Sequence, residues 1–465
     1  MTRVEDALWG SRTGLLPAGD RIVSLLEDWA SRGRDHVLPA VGLIDATTGR
    51  ISAPRELAVA DGVVVDRGPA RAPGAVCEWF AAPGFVDAHA HMSSVCDLAG
   101  LLAYGVTGYR QMWGEPAHLY TAGVHRARSA VLPRPWVATA VVDGPRTRVP
   151  EAATIAADSR AVRHVVSEAL AFGFDGIKVY DDLEGPVFAE LVRAAEEAGV
   201  PVVGHVPERV PGDVARRGMR STEHLYGIVP NVFRRPPSER WPTLAEALQR
   251  WESGPAAGTD GFDGHFVCPT LTAWRALTGE RRRTRPSRTA LRMATGGRQR
   301  SWSVAAREAL RTDPAAAQER GDLIDRLGAL TRGVADAGAR LLVGTDCGNP
   351  FVVAGPSFHK ELAELSRAGV GRAGLLRAAT TEAHDVMGWR PPSDMVLYRR
   401  APTGDVAALA RPDGVLIDGV LLDSDDLDHL WQLRLAAAGL DAAVWPRGEL
   451  DATGVQHEKE VAGAG

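Results

Sequence analysis

The chain holds 465 residues, 45% hydrophobic and 24% charged, with 53 basic against 58 acidic side chains and a formal charge of -5. The apolar share supports a sizeable core, and the near balance of charge excludes a whole-molecule field that would draw nucleic acid or an anionic membrane. Four dispersed cysteines (Cys77, Cys96, Cys268, Cys347) form no CxxC pair and no disulfide framework, and they read as small buried hydrophobes in a reducing compartment.

The first twenty residues, MTRVEDALWGSRTGLLPAGD, hold no apolar run long enough for a secretory segment or a membrane span, so a cytoplasmic protein is expected. Residues 1–35 are predicted to add a helix or two. Residues 38–80 contain short β-like runs, LPAVGLID and ELAVADGVVVD, broken by Gly, Asp and Pro. Short runs such as these cannot stand alone. MVLYRRA (395–401) and GVLIDGVLL (414–422) have the same style, so the two ends of the chain are predicted to share one small β domain.

From about residue 83 short apolar runs alternate with helical stretches. The predicted strands are 85–92, 106–112, 136–142, 175–180, 201–206, 220–226, 265–272 and 340–347. An amphipathic helix over 187–199 places Phe188, Leu191, Ala194 and Ala195 on one face. Eight such alternations predict an α/β fold, a (β/α)8 TIM barrel with a small β-sandwich domain built from N- and C-terminal segments. The division expected is 1–82 for the N-terminal segment and first part of the sandwich, 83–390 for the barrel, 391–440 for the returning part and a C-terminal helix, and 441–465 for a flexible tail. Between the seventh and eighth strands, residues 275–300 hold nine arginines against Glu280. This segment reads either as a lid offering positive charge to an anionic substrate or as a solvated surface loop.

His89 and His91, two apart on the first barrel strand, leave the same side of the pleat and can grip one ion together. Lys178 lies in the apolar run GIKVY of a chain with three lysines against 50 arginines. A buried ammonium there is costly. A neutral amine can instead take up carbon dioxide as a carbamate, an anionic donor able to bridge two cations; the plainer reading is a lysine reaching for solvent. His205, His224 and Asp346 end the fifth, sixth and eighth strands and are ligand types suited to zinc or a similar ion. Singly they read as core histidines or a helix cap, but jointly they mark one end of the barrel. Tyr226, two after His224, Tyr180, two after Lys178, and His118 after the second strand are candidate substrate contacts, with rim packing as the plainer reading of Tyr226. His359 is expected to anchor the loop after the eighth strand.

PGFVDAHAHM, GIKVYDDL, VVGHVP, STEHLYG and VGTDCGNP together resemble the successive metal motifs of the amidohydrolase superfamily, in the branch of imidazolonepropionase-like and prolidase-like enzymes, over roughly residues 38–425. The link GWRPPSDMVLYRRAP is shorter than the glycine-containing link of that branch, which affects the substrate class rather than the metal motifs. The resemblance implies that His89, His91 and Asp346 hold one ion, that His205 and His224 hold the other, and that carboxylated Lys178 bridges them, with zinc as the metal. It implies hydrolysis of a C–N or ester bond of a small molecule, one able to carry a carboxylate, through a metal-bridging hydroxide, with Asp346 as general acid and base. Beside it stand a barrel kept for binding or assembly with no turnover, and two catalytic alternatives. One is a mononuclear zinc deaminase using Glu208; the other is a cyclase, dehydratase or isomerase use of the same ions. A homo-oligomer is compatible with the sequence.

Overall fold

The computed structural model describes residues 17–60, 62–254, 261–279, 293, 298–390, 393–440 and 447. After a helix at Pro17–Ala30, the chain lays down strands β1 (His36–Leu43), β2 (Arg55–Ala60), β3 (Val63–Pro69) and β4 (Trp79–Pro83). Much later it returns as β15 (Met395–Tyr398), β16 (Gly414–Ile417) and β17 (Val420–Asp423). These seven make one mixed sheet in the order β17-β16-β15-β4-β1-β2-β3. Its junction is the antiparallel pairing of β4 with β15, Pro83 opposite Met395. Leu38, Val41, Leu57, Trp79, Ala81 and Leu397 form its own apolar cluster, about which the sheet curls. Both ends of the chain therefore build one sheet, as expected from their shared style.

Between the two halves run β5 (Phe85–Ala90), β6 (Val106–Gln111), β7 (Arg134–Val137), β8 (Val141–Asp143), β9 (Ala153–Ile155), β10 (Ile177–Val179), β11 (Val202–Gly204), β12 (Ser221–Glu223), β13 (Phe266–Cys268) and β14 (Arg340–Leu341). They form two parallel sheets, β5-β6-β7 and β14-β13-β12-β11-β10-β8-β9. Backbone bonds cross both gaps between these sheets. Thr139 N–H donates to the Gly176 carbonyl at 2.9 Å, and Asp346 N–H donates to the His89 carbonyl at 2.7 Å. Strands β5, β6 and β10 to β13 are buried at every position, as strands covered on both faces are, their charged and polar members included.

Helices fill the intervals. Ser159–Phe172 starts where Asp158 accepts from Arg160 N and Ala161 N and ends at Gly173, whose φ of 76° suits a left-handed cap. The predicted helix around 187–199 spans Gly185–Glu197 and buries Phe188, Leu191 and Ala195. Seven of the eight predicted strands run past the observed ladders and the remaining one divides; two of these differences have a clear local reason. The run at 265–272 leaves the ladder at Cys268, because Pro269 has no N–H and Thr270 turns left-handed at φ 53°, and a helix follows at Leu271–Ala276. The run at 136–142 divides where Ala138 and Thr139 turn their bonds to Gln111 and Gly176. Among the described residues, no helix is long and apolar enough to cross a membrane. All four cysteines are free, and three are buried.

Candidate metal centre

His89 and Lys178 lie on β5 and β10, while His91, His205, His224 and Asp346 follow directly on the ends of β5, β11, β12 and the segment after β14. All six line one cavity of about 1130 Å³. The imidazole centroids of His89 and His224 are 4.7 Å apart, those of His205 and His224 5.0 Å, and those of His89 and His91 5.3 Å. Asp346 Oδ1 is 2.9 Å from His91 Nε2 and 3.5 Å from His89 Nε2. The ligand atoms of these three residues lie within 4.8 Å of one another. Close strand approach is possible because residue 344 is glycine: a Cβ there would overlap Cys268 Sγ and the His89 backbone.

Three of the histidines are turned by a buried partner at Nδ1. His89 meets Glu223 Oε2 at 2.7 Å, His205 meets Asp181 Oδ1 at 2.7 Å, and His224 meets Thr270 Oγ1 at 2.6 Å. A carboxylate only accepts, so Nδ1 of His89 and of His205 donates and the Nε2 lone pair is left for a cation. Glu223 is in turn held by Arg110 Nη2 at 2.7 Å and by Ser221 Oγ at 2.8 Å. This guanidinium also decides a second grouping, His89 with Glu223 and Cys268: it already neutralises Glu223, so that trio serves to orient His89 rather than to bind an ion.

Burial sets the charge states. It holds His89 well below the ordinary imidazole value, aided by Lys178, and takes His224 down to about 3, so both are neutral lone-pair donors at neutral pH. Burial lowers the Lys178 ammonium to about 8 against the opposing pull of Glu223 and Asp346. Burial opposes ionisation of Asp346, but the surrounding imidazoles outweigh it and hold the carboxyl below its usual range. The donor set of neutral imidazoles, an ionised carboxylate and a readily neutralised amine is one that fits divalent cations. Backbone strain gathers here too: His224, Leu225, Thr270 and Asp346 all have φ between 53° and 62° without being glycine.

The candidate substrate contacts take different places. Tyr180 stacks on His205 at 4.3 Å, and Tyr226 packs edge-on against the same ring at 4.9 Å; both line the cavity. His118 lines it as well, but Nδ1 accepts from Glu115 N–H at 3.0 Å and Nε2 meets the Met92 carbonyl at 2.9 Å, so the ring serves as a helix cap. His359 bonds the Tyr104 carbonyl and is buried away from the site. Glu208, the acid a deaminase reading would need, faces Arg234 at 3.5 Å and does not line the cavity. Of the arginine-rich segment, Arg275 is buried against Glu364, and Arg298 lines the cavity with a bond to the His91 carbonyl. Arg281, Arg282, Arg283, Arg285, Arg288 and Arg292 lie outside the described residues.

Sequence reasoning missed the orienting residues Glu223, Arg110, Asp181, Thr270 and Asn231. For two of them a signal existed, since Arg110 in VTGYRQ and Glu223 in STEH are opposite charges inside runs read as barrel strands. No protein-family profile matches the chain, and no curated protein sequence does. Among solved structures the chain is similar to "AH, Bottromycin amidohydrolase" at 62% identity and a TM-score of 0.89, over 95% of this chain and 98% of that one. A Xaa-Pro dipeptidase with methionine bound in its active site shares 15% identity, TM-score 0.58, over 84% and 100% of the two chains. An ochratoxinase from A. niger shares 17%, TM-score 0.55, over 83% and 95%. The last two likenesses are of fold alone.

Proposed function

Because the chain belongs to the amidohydrolase superfamily, we propose that its six converging side chains hold two divalent ions, with zinc the favoured metal. The chain is a hydrolase acting on carbon–nitrogen bonds. In the reading advanced here, His89, His91 and Asp346 bind one ion, His205 and His224 the other, and Lys178 joins them as its carbamate. The eight predicted runs, found as β5, β6, β7 with β8, and β10 to β14, are read as a closed (β/α)8 barrel with β9 added beside β8, supported by the backbone bonds across both sheet gaps. The barrel is read as the domain of 83–390, and the small β domain expected of 1–82 and 391–440 is represented by the single sheet β17-β16-β15-β4-β1-β2-β3.

When bound, such ions polarise a carbonyl and lower the pKa of water toward neutrality. The protein's own residues supply the rest. Asp346 would take the proton of the attacking water at its carboxylate and deliver it to the leaving nitrogen. Tyr180 and Tyr226 flank the imidazoles; Tyr180 would hold the scissile carbonyl in line, while the Tyr226 hydroxyl is spent on Asn231 and its ring shapes the wall. Trp113, Phe233 and Trp274 give the cavity an apolar wall that excludes bulk water. At about 1130 Å³ the cavity exceeds the ordinary range of roughly 300–1,000 Å³, which supports a bulky substrate. Together with the 62% identity to bottromycin amidohydrolase, this favours an amide of bottromycin or of a molecule like it.

The observation that carries the reading is the convergence of four imidazoles, Asp346 and Lys178 on one cavity wall. Zinc-loaded protein incubated with bottromycin-type amides should release amine and carboxylic acid, and oxygen-18 from water should enter the acid. Chelation should stop the release and zinc should restore it. Full metal loading with no amide cleaved, or a product without oxygen-18, would overturn it.

A further inference from the structure

Behind His205 runs a chain of buried polar groups that reaches back to the cavity wall. His205 Nδ1 donates to Asp181 Oδ1 at 2.7 Å, and the other oxygen, Oδ2, accepts from Asn231 Nδ2 at 2.8 Å. At its far end the same amide accepts twice at Oδ1, from the Tyr226 hydroxyl at 3.0 Å and from Phe233 N–H at 3.0 Å. Asp181 is 2% exposed, Tyr226 5%, His205 6% and Asn231 7%, so these bonds are made in a largely buried setting. The orientation of the amide is fixed by its neighbours: turned over, Asn231 would set its oxygen against a carboxylate and its NH2 against two donors.

Only an amide of this length offers a donor at one end and an acceptor at the other. Asn231 also begins the short turn Val232–Arg234, and Phe233 from that turn packs on Trp274 at 5.3 Å in the cavity wall. Arg234 of the same turn reaches Asp182, the residue after Asp181, at 3.4 Å. The turn and the Asp181–Asp182 pair are therefore fastened at two adjacent points.

We propose that Asn231 is a positioning residue that ties the Tyr226–Phe233 wall of the cavity to the imidazole of His205, and so sets the metal affinity of the His205 side of the centre. The inference rests on the metal reading above. Asn231 itself lines the cavity, but its amide is spent on Asp181, Tyr226 and Phe233, so it acts through Asp181, whose alignment fixes which nitrogen His205 presents.

The test is zinc binding, measured by competition with a chromophoric chelator, for wild type, Asn231→Asp, Asn231→Ala and Tyr226→Phe. Asn231→Asp keeps the shape and both acceptor bonds but faces Asp181 with a second carboxylate. One of the two zinc affinities should fall about 10–100-fold in Asn231→Asp and in Asn231→Ala, with the other retained. Tyr226→Phe, which leaves the Asp181 bond in place, should keep both. In cobalt-substituted protein the visible absorption bands should shift in the Asn231 variants and stay put in Tyr226→Phe. If Asn231→Ala does not fold, the isosteric Asn231→Asp with native near-ultraviolet dichroism decides. Wild-type zinc affinities and cobalt bands in a folded Asn231 variant would overturn the inference alone. A wild-type protein that binds no zinc would instead overturn the metal reading on which it stands.

Discussion

Replacing Glu223 by glutamine separates what holds the strands together from what presents an imidazole to a cation. Glu223 is wholly buried and accepts from Arg110 Nη2 at 2.7 Å, Ser221 Oγ at 2.8 Å and His89 Nδ1 at 2.7 Å. Glutamine has nearly the same shape, but it leaves the Arg110 guanidinium buried without a counter-charge. Removing one partner of a buried pair costs about 3–5 kcal/mol. With an unfolding entropy of about 1 kcal/mol/K for a chain of this size, the thermal midpoint should fall by about 3–5 °C. The second effect is chemical. If the amide oxygen stays on Arg110, the NH2 faces His89 Nδ1, which must then accept. The proton moves to Nε2, and that nitrogen can no longer bind a metal. Zinc affinity should fall about 10–100-fold. The assay pairs calorimetry with zinc competition, and the double variant Arg110→Met/Glu223→Leu serves as the control. An apolar pair should regain most of the stability while zinc affinity stays low. Wild-type zinc affinity in Glu223→Gln, or its recovery in the double variant, would refute the tautomer argument.

Asp346→Asn should lower kcat for amide hydrolysis by about 10²–10⁴-fold; a rate within threefold of wild type in zinc-loaded variant would remove Asp346 from the proton path. Protein grown with zinc and bicarbonate should carry a carbamate on Lys178, seen in native mass spectra, and Lys178→Ala should bind one zinc fewer. An unmodified lysine in fully loaded protein contradicts this. Far from the site, burial and the neighbouring Asp418 carboxylate push the Asp394 carboxyl up to about 7. Between pH about 4 and 7 the native state then keeps a proton that the unfolded chain releases, so stability falls as pH rises through that window. Asp394→Asn keeps an acceptor for the Asp418 N–H bond of 2.9 Å. Its thermal midpoint should decline less steeply than that of wild type, the buried Asp87 and Glu361 carboxyls, pushed up to about 7 and 8, keeping their share; a decline as steep as wild type would assign the effect elsewhere.

The ligand-type residues could be read from sequence because strand periodicity puts each at or just past the end of an apolar run. His89 and His91 share a pleat face, and Lys178 is conspicuous in a chain that otherwise uses arginine. Their convergence follows from topology, which no local pattern encodes. The orienting partners escaped because each joins two distant segments: Arg110 meets Glu223 across 113 positions, and Asn231 meets Asp181 across 50. Strand ends escaped for another reason. At Thr270 and His224 the backbone turns left-handed, a conformation that composition does not favour there and that the surrounding packing imposes. His118 has the residue type of a ligand, yet it is consumed by capping Glu115, a choice visible only once both its nitrogens have found partners.

The pairing of β4 with β15 has a consequence for how the protein comes into being. Pro83 waits for Met395, so at about 5–20 residues per second the ribosome leaves the β4 edge bare for roughly a quarter of a minute to a minute. During that interval the nascent chain exposes a strand ready to recruit a stranger's backbone. Fragments that stop short of residue 395 would keep that edge open indefinitely, and expression of such fragments should drive the polypeptide into inclusion bodies.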